Sequence, residues 1–173
     1  MTDLVLPAAL RDVEPVKQLE IPARLDYEFT AGAATSRFLT GITQKRILGE
    51  RCPICRKVYV PPRGSCPTDG VATAEQVELA HTGIVTTFCV VNVQFYGQAM
   101  DLPYVCATVL LDGADIGLFG LVQDVPADQV RMGMRVEAVW VEDEKLAPTL
   151  TSIEFWRPTG EPDAPYESFR EHV

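Results

Sequence analysis

At 173 residues, with 47% hydrophobic and 23% charged side chains, the chain is long enough to bury an ordinary hydrophobic core, which excludes a disordered or fibrous protein. No apolar run approaches the roughly 20 residues of a membrane helix and the N-terminus lacks the basic and apolar blocks of a signal peptide, so the expected location is cytoplasmic, with no membrane partner. A net charge of −9 disfavours a long phosphate backbone as partner, so no nucleic acid is expected.

Residues 1–33 carry Pro7, Pro15 and Pro22 among scattered acids, a spacing that forbids a long helix and predicts an extended arm. Its apolar residues, including Leu10, Val13, Leu19 and Ile21, are too numerous for a freely solvated linker, so the arm is expected to order against another surface. Residues 34–48 read as a short helix and a lead-in strand: Thr35 and Ser36 are N-cap types, Phe38, Leu39 and Ile42 share one face, and Gly41 limits its length. Lys45 to Arg51 enters a compact knuckle region, residues 49–76, and Val58-Tyr59-Val60 leaves the first knuckle before Pro61-Pro62 imposes an extended path.

From residue 77 the pattern changes to period two. Gly83 opens a β-branched and aromatic run to Val93, Tyr104 to Leu111 is a second, and Asp112-Gly113-Ala114-Asp115 is a hairpin turn into Ile116 to Val122. Gly117 and Gly120 suggest tight curvature or a bulge. A helical turn over 126–132 precedes alternation from Met134 to Val141, and Leu150 to Trp156 supplies a fifth strand. Five short strands with a helical turn between the third and fourth predict an OB-fold barrel over residues 77–157, in a mainly β protein with one N-terminal helix. Residues 158–173, rich in proline and acid, read as a flexible acidic tail.

The stretch with the most chemistry is Cys52-Pro-Ile-Cys55, ten residues, then Cys66-Pro-Thr-Asp69-Gly70. Two close-spaced ligand pairs across a short hairpin are how a tetrahedral zinc site is built, and a carboxylate oxygen can serve as fourth ligand, so the set reads as Cys52, Cys55, Cys66 and Asp69 around one structural zinc. Redox thiols, or buried cysteines beside an Asp-Gly turn, are the other reading. A rubredoxin-type iron site wants four thiolates and finds three. Cys89 and Cys106 fall within strand-like runs without a nearby histidine and read as core thiols. His81 is a turn residue or a spare ligand, and Asp112 with Asp115 is hairpin chemistry first. No catalytic constellation emerges, so no catalytic residue is assigned.

Charge is distributed unevenly. From Phe29 to Thr68 there are Arg37, Lys45, Arg46, Arg51, Arg56, Lys57 and Arg63 against the single acid Glu50, a local balance of +6 that leaves −15 for the remainder. Such a patch suits a compact anion better than a nucleic acid, unless it is the solvated outer face of helix and ribbon. The loop from Phe95 to Pro103 carries Phe95, Tyr96, Met100 and Leu102, residue types of interface cores, which makes it either a partner-docking element or a cover for the barrel mouth.

Arg51-Cys52-Pro53-Ile54-Cys55, Tyr59-Val60-Pro61-Pro62-Arg63 running into Cys66-Pro67, and the Gly83-Ile84-Val85 strand entry resemble a family of bacterial and archaeal proteins over roughly residues 34–157. Its members combine an N-terminal helix, a rubredoxin-like zinc ribbon and an OB-fold, and accompany thiolase-like enzymes. The resemblance implies a non-catalytic accessory subunit that binds acyl-CoA and forms a hetero-oligomer with a thiolase, a hydroxymethylglutaryl-CoA synthase-like enzyme or an aldolase acting on steroid side-chain thioesters. It gives the basic knuckle a ligand: the phosphates of acyl-CoA, held by Arg46, Arg51 and Arg63 with Lys45 and Lys57 as weaker contributors. Two departures stand out: Arg56 where a knuckle often has glycine, and Asp69 in place of the fourth cysteine. The competing function is a zinc-ribbon and OB-fold module for nucleic acid, which the charge opposes.

Overall fold

The helix α1, Ala33–Ile42, begins one residue after an extended Gly32, in a computed structural model that describes residues 8–10, 12–14, 21, 24–94, 97–98 and 100–173. Thr35 and Ser36 therefore sit inside the first turn, not at its cap; the Ser36 N–H donates to Gly32 O at 2.8 Å, and no side chain caps the start. Gly41 is needed for close approach rather than termination. A Cβ there would lie 2.9 Å from Leu48 Cδ1 and 3.0 Å from Arg46 O. Lys45, at φ 54°, then turns the chain back into a strand.

That strand, β1 (Ile47–Arg51), is the centre of a three-stranded sheet ordered β2-β1-β3, with β2 at Val58–Tyr59 and β3 at Glu75–Leu79. β3 carries no strand pattern in its sequence, because Glu75, Gln76 and Glu78 have poor strand propensity. An edge strand tolerates them, since charge there discourages pairing with another chain.

Five further strands close a barrel in the order β4-β5-β6-β8-β7: β4 Thr82–Val91, β5 Tyr104–Leu111, β6 Leu118–Val122, β7 Arg135–Trp140 and β8 Ile153–Pro158. Antiparallel ladders join all neighbours except β6 and β8, which run parallel. A 3-10 turn at Ala127–Gln129 lies between β6 and β7. This is the OB-fold arrangement. Register shifts occur in β4, between Val85 and Thr87, and in the β7–β8 ladder, between Val139 and Trp140, while β5 and β6 keep an unbroken register. Gly120 serves a different purpose, since a Cβ there would meet the Trp156 indole nitrogen at 2.6 Å.

One hydrophobic cluster runs from Phe38, Ile42, Ile47, Val58 and Val60 into the barrel residues Val85, Val109, Val136 and Trp156, so helix, ribbon sheet and barrel share a core. Asp115 fastens the joint: its carboxylate accepts from the Val58 N–H at 2.7 Å, and its own N–H donates to Val58 O at 3.0 Å. The hairpin turn thus doubles as a partner for the exposed edge of β2.

Residues 158–173 are not a free tail. Phe169, 2% exposed, packs with Ile84 and Leu110, the Ala164 N–H donates to Gly133 O at 2.8 Å, and Asp163 pairs with Arg131. One buried aromatic and a few ion pairs outweigh a disorder-prone composition. Among the described residues no helix is long and apolar enough to cross a membrane.

Candidate functional site

Two knuckles of the same construction face each other at the end of the ribbon sheet. In the first, the Cys52 N–H donates to Lys57 O at 2.9 Å, and in the second the Cys66 N–H donates to Val71 O at 2.8 Å. Each encloses a pair of ligand residues followed by a left-handed residue, Arg56 at φ 65° and Gly70 at φ 66°. Arg56 therefore occupies the position at which glycine is favoured, and adopts the glycine conformation. Backbone N–H groups point inward: Ile54 to Cys52 Sγ and Asp69 to Cys66 Sγ, both at 3.4 Å, and Cys55 to Asp69 Oδ2 at 3.3 Å. Such donors stabilise negative charge on sulfur and oxygen.

The four side chains converge. One ligand atom from each of Cys52, Cys55, Cys66 and Asp69 lies within 4.8 Å of all the others. Cys55 Sγ and Cys66 Sγ are 3.7 Å apart, and Asp69 Oδ2 is 3.1 Å from Cys52 Sγ and 3.3 Å from Cys66 Sγ. A tetrahedral zinc with Zn–S bonds of about 2.3 Å separates two sulfurs by about 3.8 Å, so the donor set fits the ion with little movement. Cys52 and Cys66 are buried and pack with Tyr59, whose hydroxyl lies 3.2 Å from Cys66 Sγ. All four positions come from the protein, which is the pattern of a closed structural site without an open coordination position for substrate.

The four donors are coupled to one another through hydrogen bonds. Hydrogen bonds from Cys55, Cys52 and Cys66 hold the Asp69 carboxyl down to about 2, and the same carboxylate pushes the Cys55 thiol up to about 11. Burial raises the Cys66 thiol, but the Tyr59 hydroxyl and the backbone N–H of Asp69 outweigh it, for a net downward shift. Cys66 in turn pushes Tyr59 up to about 12. An ionised carboxylate amid thiols that share their protons with it is a strong invitation to a soft divalent ion, which releases those protons as it binds.

The basic residues of the ribbon are mostly compensated. Arg46 makes two contacts to Glu78 Oε2, at 3.0 and 2.7 Å, and depresses that carboxyl. Arg51 and Arg56 share Glu75, and Lys45 meets Asp143. Lys57 and Arg63 are exposed, and among the described residues no carboxylate pairs with either. A groove of about 350 Å³ lined by Ser36, Arg37, Thr40, Gln44, Arg46 and Gln76 lies between α1 and the ribbon sheet. Arg37 also reaches inward to Glu50, a carboxylate only 1% exposed, at 2.6 Å. The Thr73 hydroxyl donates to the other Glu50 oxygen at 2.9 Å. Glu50, the lone acid of the basic stretch, is therefore not a surface residue; it lies in the central strand, paired with β2 and β3 on both sides.

Of the docking-loop residues, Met100 and Leu102 are partly exposed, whereas Phe95 and Tyr96 lie outside the described residues. The stretch 24–30 exposes Leu25 (81%), Tyr27 (75%) and Phe29 (71%). His81 is no spare ligand: its Nδ1 accepts from the Trp140 indole at 3.3 Å. Cys89 is exposed and Cys106 half-buried, so neither is a core thiol of the kind expected, because both lie on the outer face of the barrel.

Comparison with known proteins gives two family-model matches, the ChsH2 rubredoxin-like zinc ribbon domain over residues 40–74 and the ChsH2 C-terminal OB-fold domain over residues 76–141. A DUF35 domain-containing scaffold protein of Methanocaldococcus jannaschii is 38% identical over 96 residues, 54% of this chain and 67% of that protein. A probable enoyl-CoA hydratase alpha subunit of Thermomonospora curvata is 33% identical over 99 residues, 57% of this chain but 30% of that protein. Among solved structures, a chain of the Ltp2-ChsH2(DUF35) aldolase matches with a TM-score of 0.57 at 25% identity, covering 76% of this chain and 98% of that one. A DUF35-family protein of unknown function from Sulfolobus solfataricus shares the fold, with a TM-score of 0.55 at 20% identity over 73% of this chain and 84% of its own.

Proposed function

Since the chain belongs to the family that joins a ChsH2-type rubredoxin-like zinc ribbon to a C-terminal OB-fold, we propose that it is a non-catalytic accessory subunit of a thiolase-like enzyme acting on acyl-CoA. The observation that carries this reading is the contrast between its two kinds of surface. The assembled site is closed, whereas large apolar side chains are exposed at Leu25, Tyr27 and Phe29 and, separately, at Phe119, with Met100 and Leu102 partly exposed. Exposed aromatic, leucine and methionine side chains are residue types that docking surfaces use. A relative described as a scaffold protein and a structural relative within an aldolase described by two components support the same reading.

In this account zinc, held by Cys52, Cys55, Cys66 and Asp69, fixes the ribbon as a structural ion, and the partner supplies the chemistry. The ribbon contributes cations for the phosphates of acyl-CoA. Lys57 and Arg63 are free to do so at once, and Arg46 can trade the exposed Glu78 carboxylate for a phosphate at little cost, because solvent-exposed ion pairs contribute only about 0–1 kcal/mol. A name that places one relative in an enoyl-CoA hydratase favours a thioester of this class. The test is calorimetric titration of the assembled complex with an acyl-CoA. Lys57→Ala with Arg63→Ala should weaken binding about tenfold or more, since a hydrogen bond to a charged group contributes roughly 1.5–3 kcal/mol, with zinc content unchanged. Unaltered affinity, or tight salt-sensitive binding of a single-stranded oligonucleotide in place of acyl-CoA, would overturn the assignment.

A further inference from the structure

We propose that Cys89 and Cys106 form a cross-strand dithiol on the outer barrel face, a second thiol site that reacts with low-molecular-weight disulfides and closes to an intramolecular disulfide. Cys89 of β4 and Cys106 of β5 are direct partners in the antiparallel ladder, so both side chains leave the sheet on the same face. Directly opposed residues have Cα atoms about 4.5–5.5 Å apart, inside the roughly 4.4–6.8 Å that a disulfide spans. Their Cβ atoms, about 4.5–5.5 Å apart, need only a small approach to reach disulfide distance.

Access is asymmetric in the way stepwise exchange requires. Cys89 is exposed and Cys106 half-buried, and both are free. The Cys89 thiolate attacks one sulfur of glutathione disulfide, forming a mixed disulfide and expelling the first glutathione thiolate, which takes up a proton. The Cys106 thiol then loses its proton and attacks Cys89 Sγ, expelling the second glutathione. Two protein thiols are oxidised and one glutathione disulfide is reduced to two glutathiones, so atoms and electrons balance. Burial, and then any charge on Cys89, raise the Cys106 thiol, which makes Cys106 the resolving partner and not the first attacker. The metal set at Cys52, Cys55, Cys66 and Asp69 is separate from this pair. Closure would tie β4 to β5 beside Leu121, which faces Cys106 across β5–β6.

The experiment treats folded, zinc-loaded protein with glutathione disulfide, followed by intact-mass analysis, zinc determination and non-reducing peptide mapping. The expected product has lost two hydrogens, keeps its zinc, and gives a linked peptide pair containing Cys89 and Cys106. Cys106→Ser should stop at a stable glutathione adduct on Cys89, and Cys89→Ser should not react at the barrel. Phenylarsine oxide, whose arsenic bonds two thiols with release of one water, should bind the zinc-loaded protein once per chain and neither single variant. A wild type that stops at the glutathione adduct, a linkage involving Cys52, Cys55 or Cys66, or arsenical binding that survives in either variant would overturn the proposal.

Discussion

Removing the guanidinium of Arg37 should destabilise the protein more than removing the charge it neutralises. Glu50 sits in the middle strand of the ribbon sheet, 1% exposed, with Arg37 Nη2 at 2.6 Å and the Thr73 hydroxyl at 2.9 Å as its two polar partners. Arg37→Ala leaves a buried carboxylate with one neutral donor, the situation in which breaking a buried pair costs about 3–5 kcal/mol. Because Arg37 is itself 44% exposed, water can reach the vacated space, so the lower end, about 3 kcal/mol, is expected. Glu50→Gln keeps the shape and the Thr73 contact, and frees Arg37 to solvent; its cost is that of one charge-assisted hydrogen bond, roughly 1.5–3 kcal/mol. The double variant should cost less than the sum of the singles, because the uncompensated charge is gone. Urea denaturation at saturating zinc, read by far-UV circular dichroism, measures all three. An Arg37→Ala loss below about 1 kcal/mol, or strict additivity, would refute the view that this pair is a coupled buried unit.

Elemental analysis should find about one zinc per chain, and Asp69→Ala should lower its retention against a chelator while Asp69→Cys raises it, because a thiolate is the softer ligand. A fully folded ribbon without metal would contradict this. Acid should act separately through Asp112, whose carboxylate accepts two hydrogen bonds from Arg135, each at 2.7 Å, and is held below its ordinary range first by that hydrogen bonding. A depressed carboxyl contributes stability above its unfolded value of about 3.9 and loses it as pH falls through its lower folded value. With the side chain 43% exposed, Asp112→Asn should cost about 1 kcal/mol or less at pH 7. The gap to wild type should narrow below about pH 4; a gap that stays constant or widens in acid is the contrary result.

Most of the architecture was legible in the sequence because it is written in local periodicity and spacing. The two knuckles announce themselves by Cys52, Cys55, Cys66 and Asp69, and the barrel strands by alternation bounded with glycine turns. What was not legible depends on tertiary burial overriding local character. β3 is polar and became a strand because β1 offered a ladder. Glu50, counted as a patch residue, was drawn inside by pairing on both sides. Phe169, alone in an acidic segment, found a pocket beside Ile84 and Leu110, and no signal in the segment itself points there. The basic cluster was visible as charge, but which cations are spoken for depends on Glu50, Glu75, Glu78 and Asp143, and Glu75 and Glu78 come from one edge strand that the sequence concealed. Cys89 and Cys106 were each readable as strand residues; their opposition appears only once the register of β4 against β5 is known.

The proposed role is to dock an enzyme and support its activity, without turning over substrate. Co-expression with a candidate thiolase-like enzyme from the same organism, followed by analytical ultracentrifugation and an acyl-CoA turnover assay of the complex and of each component, is the decisive experiment. The expected result is a stable hetero-oligomer that is more active than the enzyme alone, no turnover by this chain alone, and weakened assembly when Leu25, Tyr27 and Phe29 are replaced by serine. Two non-interacting species with unchanged enzyme activity, or acyl-CoA turnover by the isolated chain, would contradict it.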